Sequence, residues 1–442
     1  MKVAARHYRT GEALLIHLEG GVITALEPLG EAEPPPAEMD AERTAANWGA
    51  GEGEAAAKRA AGAGEAEVEA AAKRQAGERE AALRAAGEQE AAAGLPIVAP
   101  GLVDLQINGY GGHDFNNPLL TAAEVKLAVR TLWREGVTTC YPTVITGAAD
   151  KIAAAMRAIA LACEQDSAAA STIGGIHLEG PFLSPEDGPR GAHSLEHIRP
   201  PDIDLFDRWQ EAAGGRISIV TLSPEWEGSE DFIRHCVQQG VTVSIGHTSA
   251  DSRQIAGAAA AGARLSTHLG NGAHPVLPRH PNMLWAQLAE ERLWCTLIAD
   301  GFHLPDEVLK VAMKVKGRQA LLISDAVSLG GLPPGSYVTP VGGAVVLTPE
   351  GRLHLAGQPA LLAGSAQMLL RHIEHVSAAG LADFPDAWDM ASIRPAGFMA
   401  LPAAAGLVPG APADLALLRR SHGGSLELEA LCKAGEWVCR TV

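Results

Sequence analysis

Apolar and polar positions alternate in a regular order along most of the chain. From about residue 97 onward, short runs rich in Val, Ile, Leu and Thr are separated by amphipathic stretches with helical spacing. Eight such runs predict β-strands, over residues 96–108, 137–146, 171–180, 217–225, 241–248, 263–271, 295–303 and 320–327. Strands that alternate with helices form parallel sheets, so eight units predict an α/β fold of the (β/α)8 TIM barrel type.

Both ends of the chain follow a different pattern. "ALLIHLEGGVITALEPL" near the start and "ADLALLRRSHGGSLELEALCKAGEWVCRTV" at the end predict short strands separated by turn residues. We expect residues 1–40 and 404–442 to form a small β-sandwich domain, into which a barrel over residues 95–403 is inserted. After the eighth barrel strand, "GLPPGSYVTPVGGAVVLTPEGRLHLAG" predicts a β-hairpin excursion before the last helix.

Residues 41–94 fit neither pattern. They consist mainly of Ala, Glu, Lys, Arg and Gly, with "EAAAKR" occurring twice and almost no large apolar side chain. This composition favours a helix but leaves little to bury, so we predict an exposed, partly helical, low-complexity insertion. A partner-binding arm is the alternative.

Composition and charge restrict the possible partners. The 442 residues have a formal net charge of -17 and no cluster of Lys and Arg that could follow a phosphate backbone, which argues against nucleic acid as a partner. No apolar run is long enough to cross a bilayer, and the start of the chain does not resemble a signal peptide. The six cysteines are scattered without metal-binding spacing, as expected for reduced thiols, so we predict a cytoplasmic protein.

Polar side chains recur where the predicted strands end. A lone Glu is usually a solvated loop acid, and a lone His is usually a satisfied core residue. In a barrel, however, the carboxyl ends of all strands surround one mouth, so groups at several ends indicate a site. Six residues occupy such positions, namely Glu179, His247, His268, Asp300, His303 and Asp325.

The types of side chain at these ends suggest a chemistry. One carboxylate and two neutral imidazoles suit a zinc-like divalent ion that keeps one position open for water. Water bound to such an ion becomes a usable hydroxide near neutral pH. A nearby Asp could accept its proton and pass it to a leaving amine, which is the role predicted for Asp325.

Several stretches together resemble a known family. They are "APGLVDLQINGYGGHDFN", "HLEGPFLSPEDGPRGAH", "SIGHTSA", "THLGNGAHPVLPRHPN", "IADGFHLP", "LISDA" and "LAGSA". From about residue 97 to 415 the chain is similar to the amidohydrolase superfamily, and within it to the N-acetylglucosamine-6-phosphate deacetylases.

The resemblance also bears on the number of metal ions. Two-metal members of the superfamily carry His-x-His in the first strand, whereas this chain has Gln106 and Asn108 at those positions. The fourth strand has no lysine that could bridge two ions. We therefore expect one divalent ion, zinc in the first place with iron, manganese or cobalt as alternatives, and leave open a weak second site near Gln106 and Asn108.

The resemblance implies roles for individual residues. Glu179, His247 and His268 would hold the metal, and His193 would polarise the acetamide carbonyl or contact the sugar. Contacts to hydroxyl and phosphate groups are implied for Asn271, the backbone of Gly272, Arg279 and His303. Arg279 could act across the interface of a homodimer, since its planar fork suits phosphate oxygens. The alternative for Arg279 is a surface salt bridge.

The implied reaction is hydrolysis of the acetamide of N-acetylglucosamine 6-phosphate by a metal-bound hydroxide, with Asp325 as general base and acid. One alternative is the same chemistry on another N-acyl amino sugar or an N-acyl amino acid. A more distant one is a non-catalytic metal-binding scaffold whose Ala/Glu-rich segment recruits a partner.

The chain also departs from the family pattern. Gly270 stands where the family has an aromatic residue, which predicts the loss of a bulky wall beside the sugar, and the loop after Glu179 adds Asp187 and Arg190 near the mouth. These changes leave the sugar and the need for its 6-phosphate open. For His177, two residues before Glu179, we favour a structural role.

Overall fold

The computed structural model describes residues 1–29, 94–339, 343–421 and 425–440. The predicted insertion over residues 41–94 lies, but for its last residue, outside the described residues, as does the boundary near residue 40. The chain begins with three antiparallel strands, followed after the gap by a fourth strand; these are β1 (Lys2–His7), β2 (Ala13–Glu19), β3 (Val22–Pro28) and β4 (Ile97–Pro100).

Ten strands follow, of which β6 and β7 form a small two-stranded sheet and the other eight form the barrel. They are β5 (Leu102–Ile107), β6 (Gly109–Tyr110), β7 (His113–Asp114), β8 (Val137–Ile145), β9 (Ile176–Glu179), β10 (Ile217–Leu222), β11 (Thr242–Ile245), β12 (Leu265–Ser266), β13 (Trp294–Leu297) and β14 (Ala320–Leu322). The eight barrel strands are parallel and neighbour one another in chain order.

The first and last barrel strands meet just beyond their regular ends. A parallel bridge joins Ile107 to Ala326, and the backbone N–H of Asp325 donates to the carbonyl of Gln106 at 2.9 Å. These contacts close the ring of strands, so the predicted (β/α)8 barrel is confirmed.

Helices cover the outside of the barrel and are begun by residues that favour this role. Thr121 and Glu124 form a capping box at the first helix, in which each side chain accepts from the other residue's backbone N–H. The described helices are α1 (Ala122–Trp133), α2 (Ala149–Gln165), α3 (Ser167–Thr172), α4 (Ile203–Ala212), α5 (Ser229–Gln238), α6 (Ser252–Ala261), α7 (Met283–Ala289), α8 (Asp306–Lys316), α9 (Leu369–Ala378), α10 (Phe384–Met390) and α11 (Ile393–Phe398).

The predicted excursion lies between β14 and α9 and is larger than one hairpin. It is a four-stranded antiparallel sheet made of β15 (Gly335–Thr339), β16 (Gly343–Leu347), β17 (Leu353–Leu355) and β18 (Gln358–Leu362). Leu329, Val345, Leu347 and Leu353 form its own small core. Its apolar cluster is therefore separate from the core of the barrel.

Both ends of the chain meet in one sheet, as predicted. The last strands are β19 (Leu415–Arg420), β20 (Leu426–Lys433) and β21 (Glu436–Arg440), and the seven-stranded order is β21-β20-β19-β4-β1-β2-β3. The barrel thus lies between two halves of a small β domain, while its exact boundary near residue 403 stays a prediction.

Two predicted strands need correction. The run over residues 96–108 splits at Gly101, and its first half, β4, belongs to the terminal sheet rather than to the barrel. The run over residues 171–180 begins as the end of α3, because Asp166 caps that helix by accepting from the backbone N–H of Ala168 and Ala169. Strand β9 starts only at Ile176.

The membrane and cysteine predictions can be compared with the described ranges. Within these ranges, no helix combines the length and apolarity needed to cross a bilayer. Cys140, Cys163, Cys236, Cys295 and Cys432 are buried free thiols, and Cys439 is a half-buried one. The thiols are thus packing residues of the core.

Candidate functional site

Three side chains from separate strand ends meet inside the mouth of the barrel. Glu179 is the last residue of β9, and its Oε1 lies 3.3 Å from His247 Nε2 and 3.1 Å from His268 Nε2. The two imidazole Nε2 atoms are 3.0 Å apart. All three side chains are almost fully buried, so the predicted convergence of these groups is observed.

The spacing of these atoms fits a bound divalent ion. Ligands at about 2.0–2.2 Å from a tetrahedral ion lie roughly 3.3–3.5 Å from one another, close to the separations found here. His247 Nδ1 is hydrogen-bonded to the carbonyl of Pro189 at 2.8 Å, which makes Nδ1 the donor and leaves the Nε2 lone pair free. The set of donors and its geometry therefore suit a zinc-like ion.

Charge in the site is balanced within the cluster. Burial would raise the pKa of Glu179, but hydrogen bonds and opposite charge from His247 and His268 outweigh it and hold the pKa well below its usual value. Glu179 is therefore an anion that attracts positive charge. Away from this cluster, no three His, Cys, Asp or Glu side chains of the described ranges bring their ligand atoms within 4.8 Å of one another.

The backbone at three of the site residues is unusual. His247, His268 and Asp325 have φ angles of +49°, +29° and +45°, in or near the left-handed region that residues other than glycine rarely adopt. Such conformations cost about 1–3 kcal/mol each and persist where the surroundings fix them. Their occurrence at three strand ends that share one site indicates that the fold holds these side chains in a required orientation.

Asp325 follows β14 and lies beside the cluster. Its Oδ1 accepts from Asn108 Nδ2 at 2.8 Å and from Gln106 Nε2 at 3.2 Å. Burial, together with the charge of Glu179, raises the pKa of Asp325 to about 6. A carboxyl group that changes protonation near neutral pH is suited to accepting and returning a proton.

Gln106 and Asn108 lie where the sequence left a weak second metal site open. Gln106 Nε2 donates to Glu179 Oε1 at 2.9 Å as well as to Asp325, so its amide joins the two carboxylates. In this arrangement both amides act as hydrogen-bond donors through their NH2 groups.

His193 lies over the same cluster. Its ligand atom is within 4.8 Å of those of Glu179 and His247, and the His193 and His247 rings meet edge to face with centroids 4.5 Å apart. Burial lowers the pKa of His193 to about 3, so the imidazole is neutral. Its Nδ1 is 2.9 Å from Thr146 Oγ1, which leaves Nε2 for another partner.

The residues predicted to contact substrate are spread around the mouth. Asn271 is half-buried, and the backbone of Gly272 lies against the His247 ring, where an added Cβ would come within 2.6 Å of Nδ1. Arg279 is exposed, and its side chain has no hydrogen bond or ion pair within the part of the chain that the structure describes. The salt bridge that was the alternative for Arg279 is therefore not formed among those residues.

His303 is held by its neighbour Asp300. The His303 Nδ1 atom lies 2.7 Å from Asp300 Oδ2, and the imidazole is 10% exposed. His303 thus lies at the rim, next to the cluster.

Two further expectations can be compared with the structure. Leu304 packs against Gly270, where an added Cβ would be 2.9 Å from Leu304 Cδ2, while the loss of a bulky wall beside the sugar stays a prediction. His177 contacts the Leu105 carbonyl through Nδ1 and Thr221 Oγ1 through Nε2, so both ring nitrogens are occupied inside the barrel. This arrangement supports the structural role favoured for His177.

Sequence reasoning missed several supporting contacts. Pro189 fixes His247 through a backbone carbonyl, which has no sequence signal. Arg190, predicted only to lie near the mouth, pairs with Asp187 and donates to the His193 carbonyl at 2.9 Å. Thr146 directly follows β8, so the rule that located the other strand-end residues would also have found it.

Comparison with known proteins adds independent findings. A sequence model described as "Amidohydrolase family" matches residues 97–428. N-acetylglucosamine-6-phosphate deacetylase of Bacillus subtilis is 36% identical over 283 residues, which are 63% of this chain and 69% of the relative. N-acetylgalactosamine-6-phosphate deacetylase of Escherichia coli O157:H7 is 33% identical over 58% of this chain and 68% of the relative. The crystal structure of N-acetyl-D-glucosamine-6-phosphate deacetylase from Mycobacterium smegmatis, 27% identical, superimposes with a TM-score of 0.75 over 99% of this chain and 100% of that one.

Proposed function

We propose, since the chain belongs to the amidohydrolase family and within it to the N-acetylglucosamine-6-phosphate deacetylases, that it hydrolyses the acetamide of N-acetylglucosamine 6-phosphate to glucosamine 6-phosphate and acetate. The observation that carries this proposal is the buried cluster of Glu179, His247 and His268 beside Asp325. Amide hydrolysis needs an activated water molecule and a group that transfers protons; a metal-ligand set and a neighbouring carboxyl group of raised pKa suit these two needs.

The metal would be held by Glu179, His247 and His268, and we propose zinc as the ion. When bound, a divalent ion supplies a Lewis acid that activates water and polarises the acetyl carbonyl. The protein contributes the ligand geometry, and the Pro189 carbonyl keeps the Nε2 lone pair of His247 directed at the cluster.

Asp325 is the residue proposed to move protons. It accepts a proton as the water oxygen bonds to the acetyl carbon, and it returns that proton to the nitrogen as the C–N bond breaks. Acetate and a free amine are then the products, and no covalent intermediate with the protein is needed. Donors from Gln106 and Asn108 hold the carboxylate of Asp325 in place for both transfers.

His193 and the residues of the rim would position the substrate. The neutral His193 imidazole has its Nε2 available to contact the acetamide or the sugar. Asn271, the Gly272 backbone and His303 are the proposed contacts for sugar hydroxyl groups. We propose that the guanidinium of Arg279, which has no partner among the described residues, binds the 6-phosphate in a bidentate manner.

Two finer points belong to the same proposal. We propose a homodimer, which would allow the exposed Arg279 of one subunit to reach the site of its partner. Free, buried cysteines suit a reducing compartment, so we propose the cytoplasm as the location.

The sugar itself has a second candidate. The relative from Escherichia coli O157:H7 is named for N-acetylgalactosamine 6-phosphate, which differs from the first substrate only in the configuration at C4. Its 33% identity to this chain favours testing this epimer beside N-acetylglucosamine 6-phosphate.

The test is acetate release by the zinc-loaded protein from both phosphorylated sugars and from N-acetylglucosamine. We expect high activity on at least one phosphorylated sugar, loss of that activity after removal of the metal by a chelator, and recovery on adding zinc. Lack of acetate release from all three compounds would refute the proposed substrate class.

Arg279→Ala tests the phosphate contact. Because charged hydrogen bonds contribute about 1.5–3 kcal/mol each, kcat/KM for the phosphorylated sugar should fall about 10- to 100-fold while that for N-acetylglucosamine stays unchanged. Arg318→Ala is the matched control, since Arg318 is exposed just before β14, at the opposite end of the barrel. Equal loss on both substrates would remove Arg279 from the phosphate site.

A further inference from the structure

Asp300 lies on the turn that follows β13 and has no role in the chemistry described so far. Its side chain is 2% exposed. Oδ1 accepts from the backbone N–H groups of Phe302 and His303, each at 2.9 Å, and Oδ2 lies 2.7 Å from His303 Nδ1. Both oxygens of this buried carboxylate therefore serve to fix one turn and the imidazole at its end.

The protonation of the pair follows from these contacts. Burial would raise the pKa of Asp300, but the hydrogen bond and charge of His303 hold the pKa well below its usual value. An ionised carboxylate only accepts hydrogen bonds, so Nδ1 of His303 must carry the proton. In the neutral imidazole, Nε2 is then an acceptor.

The other ring nitrogen is directed away from Asp300. His303 Nε2 has no hydrogen-bond partner within the described ranges, although the ring as a whole is only 10% exposed. The positive form of His303 also lowers the pKa of Asp325, which indicates that the ring lies on the side of the proposed base. An acceptor nitrogen is thus presented at the rim of the site.

A second element supports the turn from behind. His372 on α9 is fully buried, and its Nδ1 accepts from the backbone N–H of Ala299 at 3.3 Å. Ala299 immediately precedes Asp300, so the end of the seventh barrel strand is tied both to α9 and to its own turn.

We propose that Asp300 is a positioning residue that holds His303 in the tautomer with a proton on Nδ1, so that Nε2 accepts a hydrogen bond from a sugar hydroxyl group. This inference rests on the proposed function for the identity of the ligand. It adds a requirement on the ligand's chemistry, since the group facing His303 must be a hydrogen-bond donor. An unprotonated phosphate oxygen does not meet that requirement.

The chain contains a matched pair outside the site. His375 Nε2 lies 2.8 Å from Asp306 Oδ1, with side chains that are 30% and 50% exposed. The chemistry of this contact is the same as that of Asp300 and His303, but it lies on the surface between α8 and α9. Asp306→Asn is therefore the control for Asp300→Asn.

The first experiment observes the tautomer in the zinc-loaded protein labelled with 15N-histidine. The His303 signals are identified by their loss in His303→Ala. We expect an Nδ1–H tautomer in the wild type and a population of the Nε2–H form in Asp300→Asn, with no change in Asp306→Asn. An Nε2–H tautomer in the wild type overturns the proposal, even if Asp300→Asn does not fold.

The second experiment measures acetate release from the better of the two phosphorylated sugars. Partners that orient a functional imidazole are typically worth 10- to 100-fold, so we expect kcat/KM to fall by roughly that factor in Asp300→Asn, mainly through KM. In a His303→Ala background, Asp300→Asn should have no further effect. A further loss of the same size in that background would show that Asp300 does not act through His303.

The two proposals fail in different ways. If no amino sugar phosphate is hydrolysed, the proposed function fails, and the tautomer measurement still decides whether Asp300 controls His303. If hydrolysis occurs but the tautomer is insensitive to Asp300→Asn, the inference about Asp300 fails alone.

Discussion

The two ends of the barrel interior have opposite compositions. Toward the amino ends of the strands lies a buried cluster that is apolar except for the hydroxyl group of Tyr141, and residues of α11 cover it. Its members are Val103, Leu105, Tyr141, Ile219, Leu265, Ile298, Leu321, Ile323, Ala396 and Phe398. At the carboxyl ends, Glu179, His247 and His268 are buried polar side chains and Asp325 is a half-buried one; His247, His268 and Asp325 have positive φ angles. The apolar cluster forms the floor of the barrel, and the polar groups line its mouth.

The seventh and eighth barrel strands contribute to both ends, with a spacing of two residues. Leu321 and Ile323 belong to the floor, and Asp325 belongs to the mouth. Likewise, Ile298 lies in the floor and Asp300 at the mouth. Side chains two apart on a strand share a face, so one face of each of these two strands passes from a packed core into the site.

The floor and the mouth contribute differently to stability and to catalysis. Buried apolar surface stabilises the fold, whereas buried charges and left-handed backbone conformations at the mouth cost free energy that the rest of the molecule offsets. Substitutions at the mouth should therefore change turnover much more than stability, and substitutions in the floor should do the reverse.

The largest expected effect is that of Asp325→Asn. Asn has the same shape but cannot accept the proton, so kcat should fall about 10³-fold or more while the thermal unfolding temperature stays unchanged. Metal content should also be retained, because Asp325 is not among the proposed ligands. Activity within tenfold of the wild type would remove Asp325 from the mechanism.

The opposite behaviour is expected of Phe398→Ala in the floor. Phe398 is 5% exposed and packs on Trp294 with ring centroids 5.2 Å apart. Deleting a buried aromatic ring typically costs about 3–5 kcal/mol of unfolding free energy, which denaturant unfolding would measure. At 25 °C the kcat and KM of the folded enzyme should be unchanged. Leu119→Ala is the control, since Leu119 is 81% exposed and its loss should leave stability as it was.

The order of the barrel strands could be predicted from the sequence because each strand is a short apolar run bounded by turn residues. The pattern could not say which sheet a run joins. Gly101 interrupts the first run where an added Cβ would come within 2.2 Å of Thr138 Oγ1, and only the fold reveals that β4 then pairs with β19. The length of the strands was also overestimated: the run predicted over residues 263–271 contains only the two-residue strand β12, Leu265–Ser266.

The site was predictable to the extent that it depends on strand ends. Glu179, His247, His268 and Asp325 come together because all carboxyl ends of a parallel barrel face one mouth. Contacts made by the backbone or by residues distant in sequence were not predictable. The Pro189 carbonyl on His247 and the contact of His372 with the Ala299 N–H depend on loop and helix positions that leave no local pattern.

The smallest of the expected effects concerns His372, which is not part of the floor and which supports the mouth by accepting from the backbone N–H of Ala299. Burial lowers the pKa of His372 to about 4, with the charge of Asp300 opposing this only in part, and its Nε2 is buried without a partner among the described residues. In the unfolded chain the pKa is about 6.5. The folded state thus resists protonation that the unfolded state accepts. Keeping His372 neutral therefore costs no stability above about pH 6.5. Below that pH the unfolded state gains a proton that the folded state does not, so the free energy of unfolding falls as the pH falls toward 4.

His372→Gln should remove this dependence while keeping an acceptor for the Ala299 N–H. At pH 5 the wild type should have lost about 2 kcal/mol of unfolding free energy through His372, a loss that the variant avoids. Denaturant unfolding at pH 7.5 and pH 5, with chelator present so that metal binding does not contribute, measures the difference. Ile373→Val, a buried change on the same helix without a titrating group, should lower stability equally at both pH values. The contrary result is a difference in unfolding free energy between wild type and His372→Gln that is the same at pH 7.5 and at pH 5. The buried imidazole is then not the source of acid sensitivity at the mouth, and the polar groups nearer the metal ligands must account for it.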